Sequence, residues 1–418
     1  MKKKILATLL ALLPMLAWAY DGSHMLDPQP VEMDGYDPDF YIFLCLGQSN
    51  FEGANKPETC DYYDLDRFYM YAAVDNDYDG RKRGNWYPAV PPLCVKTGGL
   101  SPADYFGRTL ARALPDKKIG VINVAVGGCK IQLFDPVDNS AGLDGQEDWL
   151  KNAAARYDDS KPYQHLVACA RDAQRHGAIK GILLQQGESN VGDPAWPECV
   201  TEIYDSLCSQ LGLDPAQTPL LLGETLHKDQ NGSCWAHNEA VARTAASIPN
   251  AWVASSEGCP GSPYDHVHYF PDGYRKLGYR YACAYLINCL GMDEADLPAE
   301  YIAWPRPEGH IWDGKYYSDY YPPLRIPGER FADLQSGQTL EITYVIPERQ
   351  LHPQPTFVFK TTGRPAELAD APAATLETAP GTYAHELAVT PAMLEQLQQT
   401  GLEINMPGEN GTSIDIRK

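Results

Sequence analysis

Apolar positions follow one rhythm up to about residue 300 and another beyond it. In the first part, short continuous apolar runs alternate with longer stretches in which apolar residues recur every three or four positions. Tyr41 to Leu46, Lys118 to Val126, Ile179 to Gln185, Thr218 to Gly223 and Ala251 to Ser255 have the length and the β-branched or aromatic content of buried strands. Between and after them, the spacing predicts helices from Ser101 to Leu114, Lys161 to His176, Pro197 to Leu211, Trp235 to Ile248 and Asp272 to Cys289. The first of these opens on Ser101-Pro102-Ala103-Asp104, a capping residue followed by proline at the first helical position and acid in the first turn. Strand and helix in regular alternation imply a parallel sheet covered by helices on both faces, a three-layer α/β/α domain. The stretch from Asn50 to Gly99 has no period and is rich in Tyr, Asp, Pro and Gly. A loop of that length inside a compact domain is usually functional.

Beyond about Ile302 the rhythm changes. Pro-rich connectors lead to Thr339 to Ile346, Thr356 to Lys360, Leu402 to Asn405 and Thr412 to Ile416, which carry β propensity, with one helical stretch from Thr390 to Thr400. We read this as an all-β sandwich of about a hundred residues. The expected organisation is an extended lead-in over 20–39, the α/β domain over 40–295, a linker over 296–310 and the sandwich over 311–418. At 418 residues the chain exceeds the size at which single cores stop growing, which fits two domains. Asn410-Gly411-Thr412 reads as a hairpin turn, whereas Asn231-Gly232-Ser233 fits the N-glycosylation pattern.

The N-terminus reads as an address. Lys2, Lys3 and Lys4 precede an apolar run from Ile5 to Trp18 that closes on Ala17-Trp18-Ala19, the pattern of a signal-peptidase site. Cleavage near Ala19 would send the mature chain to the periplasm or outside the cell, without a lipid anchor because no cysteine lies nearby. No later apolar run is long enough to span a bilayer. Gly22-Ser23-His24-Met25 reads either as a cloning remnant or as native sequence.

Export changes how the 11 cysteines, all between Cys45 and Cys289, are read. Cys45 and Cys129 sit in strand-like surroundings and are expected as buried thiols. Cys60, Cys94, Cys199, Cys208, Cys234 and Cys259 lie in loops or at helix ends, and an oxidising compartment predicts two or three bridges among them. No Cys-x-x-Cys pair suggests a zinc site. A net charge of -21 argues against a nucleic-acid surface. Arg81-Lys82-Arg83, with Gly80 and Gly84 on either side, is expected as a solvated loop.

Candidate chemistry collects where strands end. Gly47-Gln48-Ser49-Asn50, Gly127-Gly128 and Gln185-Gln186-Gly187-Glu188-Ser189-Asn190 each follow an apolar run, and in open α/β sheets ligands bind at that edge. Taken singly, a Ser after a strand-ending Gly is turn chemistry, Gly127-Gly128 a turn and Asn190 a helix cap. Taken together they open on one place, which makes Ser49 a candidate nucleophile in need of a base. Tyr264-Asp265-His266-Val267-His268 follows the last strand-like run. An Asp three residues before a His can reach its Nδ1 and leave Nε2 free for a Ser hydroxyl, which assigns His268 as base and Asp265 as its orienting partner. His266 is the rival base, ranked second because its adjacent Asp is too close to bond the ring. The histidine pair could also hold a metal, but no third ligand of matching context accompanies it. For an oxyanion, the N–H of Ser49, the N–H of Gly128 and the amide of Asn190 are the candidate donors. Glu188 is expected as a structural acceptor bonding Gln48 or a loop backbone.

These blocks, in this order, resemble the SGNH or GDSL hydrolase superfamily over roughly residues 40 to 290. Gly-Gln-Ser-Asn, Ala-Val-Gly-Gly, Gln-Gly-Glu-Ser-Asn and Asp265-x-x-His268 with Asp272-Gly273-Tyr274 are similar to its branch of sialate O-acetylesterases and family 6 carbohydrate esterases, acetylxylan esterases included. Two positions depart from the pattern: Cys129 stands where Thr or Ser is expected, and the third block allows either Asn190 or Gln186 as donor. The resemblance implies a serine esterase that removes acetyl groups from an acetylated polysaccharide or oligosaccharide through an acyl-enzyme, with no metal or organic cofactor. Aromatic residues from Tyr62 to Tyr87 are then candidates for stacking on sugar rings. The C-terminal sandwich is similar to modules appended to secreted glycan-active enzymes, so it is either a carbohydrate binder or a packing domain. Competing readings are an aryl or lipid esterase on the same triad and a non-catalytic glycan-binding protein.

Overall fold

The structure, a computed structural model, describes residues 28–62, 65–76, 79–262, 265–299, 309–317, 324–346, 356–361, 366–377, 379–405 and 410–418. The expected signal peptide, residues 22–25, Tyr264 and most of the expected linker lie outside them.

The first domain is built on a seven-stranded sheet. Its strands are β1 (Phe40–Gly47), β2 (Phe68–Tyr71), β3 (Trp86–Pro88), β4 (Lys118–Ala125), β5 (Ala178–Gln185), β6 (Leu220–Gly223) and β7 (Ala251–Ala254). They lie in the order β3-β2-β4-β1-β5-β6-β7, all parallel except the edge pair β2 and β3. β1 holds the centre, and its residues from Ile42 to Leu46 are buried on both faces, which is why it reads as an unbroken apolar run rather than an alternation.

The helices are α1 (Ser49–Glu52), α2 (Pro102–Ala113), α3 (Ser140–Leu143), α4 (Asp148–Ala154), α5 (Pro162–Ala173), α6 (Trp196–Leu211), α7 (Asn238–Ser247) and α8 (Pro271–Leu290). Phe43 of β1 meets Phe106 of α2 and Tyr285 of α8 edge-on, with ring centroids 4.8 and 5.1 Å apart, so these two helices cover one face. α5 packs against β1 and β4, and α7 against β6 and β7. α2 starts as its sequence dictates: Ser101 and Asp104 form a reciprocal capping box ahead of Pro102.

Residues 50–99 depart from expectation. They contain β2 and β3, and Phe68, Tyr71, Trp86 and Tyr87 are buried against the sheet edge rather than displayed for a ligand. The reason is topological: β2 extends the sheet beyond β4, and its short strands carry too few residues to show a period. Arg81 is likewise buried, paired with Asp79, while Arg83 pairs with Asp158 at 2.6 Å, so the basic run is not simply a solvated loop.

No cysteine is paired: all 11 are free thiols, against the expectation of two or three bridges. Cys94, Cys208 and Cys259 are buried as small apolar groups, and burial pushes the Cys94 thiol up to about 12. Cys60 instead accepts a hydrogen bond from Arg275 at 3.5 Å.

The second domain is a sandwich of two antiparallel four-stranded sheets. One runs β13 (Gly381–Ala388), β10 (Thr339–Ile346), β15 (Asn410–Arg417), β8 (His310–Tyr317); the other runs β12 (Ala374–Thr375), β11 (Thr356–Thr361), β14 (Leu402–Asn405), β9 (Leu324–Ile326). Asn410 and Thr412 lie inside β15 rather than in a turn. Helix α9 (Pro391–Thr400), capped by Thr390, closes the core with Met393 and Leu397.

The two domains share buried groups. Phe270, which stands just before α8, belongs to the apolar core of the sandwich. Arg330 of the sandwich lies over the Phe270 ring at 5.2 Å and pairs with Glu58 at 2.8 Å and with Asp272 at 2.7 Å. Arg275 completes the cluster on Glu58, Asp61 and Asp272, each at 2.7 Å.

Candidate active site

β1 ends at Gly47, whose φ of +154° and surroundings exclude a side chain: an added Cβ would stand 2.1 Å from the carbonyl oxygen of Gln185 on the neighbouring strand. The chain therefore turns over the carboxyl edge of the sheet and presents Ser49 at the start of α1. The loop before α8 reaches the same edge. His268 Nε2 lies 2.8 Å from Ser49 Oγ, and His268 Nδ1 lies 3.0 Å from Asp265 Oδ2. Asp265 Oδ1 accepts the backbone N–H groups of Val267 and His268, each at 2.8 Å, which folds this loop into a tight turn. Burial pushes the Asp265 carboxyl up, but the His268 ring and these two N–H groups outweigh it and hold the carboxyl below its ordinary range. His266 contributes its backbone carbonyl, which accepts from Ser233 Oγ at 3.0 Å.

Gly127 and Gly128 follow β4 and lie beside Ser49. A Cβ on Gly127 would stand 3.8 Å from Ser49 Cβ, and Gly128 has φ +71° with the Trp149 ring 2.6 Å from where its Cβ would be. A side chain at Gly127 would crowd Ser49, and one at Gly128 would collide with the Trp149 ring. Glu52 holds this turn by accepting the N–H of Gly127, and Arg156 anchors Glu52 at 2.9 Å.

The third block is placed at the end of β5, but its amides are engaged elsewhere. Asn190 donates from Nδ2 to Gln132 at 3.1 Å and to Asp193 at 2.8 Å, and its Oδ1 accepts from the N–H of Ile131 and from Gln186. Gln186 Nε2 is shared among Gln48 Oε1, the Cys129 carbonyl and Asn190 Oδ1. Both side chains are buried, and they tie the block to the β4 loop instead of presenting N–H groups to a ligand. Gln48 Oε1 in turn accepts from the N–H of Gly187 at 3.3 Å. Cys129 takes the supporting place expected of Thr or Ser, its thiol donating to the Gly47 carbonyl at 3.7 Å.

Glu188 acts as a structural acceptor, but for Asn50 rather than Gln48: its Oε1 accepts from Asn50 Nδ2 at 2.6 Å. Asn50 is the residue that sequence reasoning left without a role. It is fully buried, donates also to the Val267 carbonyl at 3.3 Å, and accepts from Tyr274 Oη at 2.7 Å, so from α1 it joins the turn after β5, the His268 loop and α8. Its place directly after Ser49 was the only signal. Burial pushes the Glu188 carboxyl above its ordinary value, partly offset by its own N–H, by Asn50 and by the nearby His268 ring.

Glu58, Cys60 and Asp61 bring three potential metal-binding atoms within 4.8 Å of one another. Arg275 and Arg330 already neutralise that cluster.

A Ser, His and Asp aligned at the carboxyl edge of an α/β sheet have the geometry of a hydrolase site, and the family to which the chain belongs makes it an esterase that acts on carbohydrate. Residues 39–287 match the family of carbohydrate esterases described as sialic acid-specific acetylesterases, and the chain belongs to that family. Among solved structures, it is similar to a protein from Arabidopsis thaliana at 20% identity, covering 60% of this chain and 99% of that one with a TM-score of 0.46. It is also similar to a carbohydrate acetylesterase from Xanthomonas citri at 14% identity, covering 88% of this chain and 78% of that one with a TM-score of 0.41. A two-domain esterase active on acetylated mannans matches at 11% identity over 91% of this chain and 92% of that one, with a TM-score of 0.32.

Proposed function

We propose that the chain is an exported serine O-acetyl esterase of the SGNH type that deacetylates a glycan through an acyl-enzyme. The observation that carries this reading is the line Ser49 Oγ, His268 Nε2, His268 Nδ1, Asp265 Oδ2, with spacings of 2.8 and 3.0 Å between the bonded groups. An ionised Asp265 holds the ring with its proton on Nδ1, so Nε2 can accept the Ser49 proton. Ser49 Oγ then attacks the acetyl carbonyl. The ester bond breaks as His268 returns that proton to the departing sugar oxygen, leaving acetyl on Ser49. Water, deprotonated by the same Nε2, attacks the acyl-enzyme and releases acetate, and the proton restores the Ser49 hydroxyl.

The oxyanion is assigned to backbone N–H groups of Ser49 and Gly128. Gly128 suits the task because a substrate oxygen can approach a residue without a side chain closely. Asn190 and Gln186 serve as supports that lock this turn against β5. Export rests on the basic, apolar and small-residue pattern of residues 1–19 alone. Acetylated xylan and acetylated sialic acid are the first substrates to try.

The test is acetate release from acetylated xylan, acetylated sialic acid, acetylated mannan and 4-nitrophenyl acetate, with Ser49→Ala alongside. Turnover by the wild type should fall by at least about a thousandfold in the variant while its circular dichroism is unchanged. Turnover retained in Ser49→Ala would refute the assignment.

A further inference from the structure

Among the described residues, two tryptophans are exposed: Trp149, 59% accessible, and Trp235, 43% accessible. A large ring left in water costs hydrophobic free energy that burial would recover, so each asks for a partner. Trp149 stands beside the Ser49 site, the segment that carries Trp235 is tied to its other flank, and the sheet order sets the two on opposite sides of it.

Trp149 opens α4 and lays its ring over Gly128, at the end of β4, one strand from β1. Trp235 follows Ser233 and Cys234, which are bound to the other flank. Ser233 donates to the His266 carbonyl, and the Cys234 thiol donates to the Glu188 carbonyl at 3.8 Å, at the end of β5. The Trp235 ring lines an open cleft of about 350 Å³ together with Glu224, His227, Asn238 and Glu239. Lys228 Nζ caps the ring at 4.6 Å, and β6 and α7 form the wall behind. From β4 to β6 is three strand spacings, roughly 14 Å, with Ser49 between. One pyranose ring cannot reach both platforms.

We propose that Trp149 and Trp235 are stacking platforms for sugar rings on either side of the acetylated residue, so that the substrate is an acetylated glycan chain rather than a single acetylated sugar. The chemistry fits: the weakly apolar faces of pyranose rings lie on flat aromatic surfaces, and the polar lining of the Trp235 cleft suits their hydroxyl groups. The proposal rests on the esterase reading above for the place of the acetyl group. It takes the place of the aromatics from Tyr62 to Tyr87 as the source of glycan contact, because Phe68, Tyr71, Trp86 and Tyr87 are buried and Tyr63 and Tyr78 lie outside the described residues.

The experiment measures kcat/KM on acetylated xylo- and manno-oligosaccharides of one, two, four and six residues for the wild type, Trp149→Ala, Trp235→Ala and Trp149→Phe. Expected is a kcat/KM that rises with chain length in the wild type. The ratio between the longest and shortest substrate should fall about tenfold in each alanine variant and be largely kept in Trp149→Phe. A flat length dependence, an unchanged ratio in both variants, or turnover of 4-nitrophenyl acetate with no turnover of any oligosaccharide would overturn it. Should the wild type hydrolyse nothing at all, the esterase reading fails separately. The platforms are then judged by titrating the same oligosaccharides against the protein by calorimetry: binding that each alanine variant weakens supports them, and no binding refutes them.

Discussion

Replacing Asn50 by Ala removes one side chain that four elements use. Among the described residues, the Asn50 Nδ2 group is the only side-chain donor to the Glu188 carboxylate, whose other oxygen is buried without a hydrogen bond to them. Losing a hydrogen bond to a charged group costs about 1.5–3 kcal/mol, and Tyr274 Oη loses its Asn50 acceptor for about 1 kcal/mol more. The variant should therefore lose about 2.5–4 kcal/mol of unfolding free energy at pH 8. The loss has a pH signature. Glu188 already has its folded-state value raised by burial, so its neutral form is favoured in the fold, and its contribution to stability is full below the unfolded value near 4.5 and lost as pH rises through the folded one. Removing the Asn50 donor raises that folded value further, so the gap between wild type and variant widens from pH 4 to pH 8. The assay is urea unfolding at both values, followed by far-ultraviolet circular dichroism and tryptophan fluorescence, whose coincidence licenses a two-state analysis. Because Asn50 also holds the Val267 carbonyl beside His268, kcat should fall alongside. A loss below about 1 kcal/mol at pH 8, or a gap that narrows from pH 4 to pH 8, would refute the assignment of Asn50 as the donor that holds the Glu188 carboxyl down against burial.

Two further outcomes follow from buried charge. Arg330→Met strips the sandwich's cation from Glu58 and Asp272, and removing one partner of a buried pair costs about 3–5 kcal/mol, here toward the lower end because Arg275 still serves both acids. The measurement is thermal unfolding with limited proteolysis; an unchanged midpoint would mean that Arg330 does not join the domains. His237 is held neutral by burial, which lowers it to about 4 against a slight opposing pull from Asp193. A base depressed in the fold leaves stability intact above the unfolded value near 6.5 and erodes it as pH falls to about 4, by up to about 3 kcal/mol. His237→Phe, which can keep the edge-on contact with Trp196, should flatten that part of the stability curve in urea titrations from pH 7 to pH 4. An unchanged slope would assign the loss to other groups.

Local pattern was enough for the five parallel strands, because all but the edge strand β7 are largely buried on both faces and each is interrupted by residues that cannot continue it. Gly47 is the clearest case: only glycine fits against Gln185, so the strand must stop where the motif begins. Asp265 and His268 were legible for a similar reason, since three residues of spacing suffice for one side chain to fold back on the other. β2 and β3 were not, because four and three residues are too few to show a period, and their aromatics owe their burial to the β4 edge. Asn190 carried the right chemistry for a donor, yet its amide faces Gln132 and Asp193, which come from two different loops. The cysteines show the same limit. Composition and an export signal suggest bridges, whereas packing decides whether two thiols meet.

Taken by itself, the sequence determined the five parallel strands and the long helices between them, where the chain changes class near residue 300, and which polar residues stand at strand ends. Those are properties of neighbours along the chain, set by propensity, burial pattern and turn chemistry. Only the tertiary structure decided what lies across the sheet edge. It brought His268 to Ser49 from 219 residues away, gave Asn50 its partners in the turn after β5, the His268 loop and α8, placed Trp149 over Gly128, and seated Arg330 of the sandwich on Glu58. Contacts of that range depend on strand order and helix packing, which are settled by the whole core at once and leave no local trace.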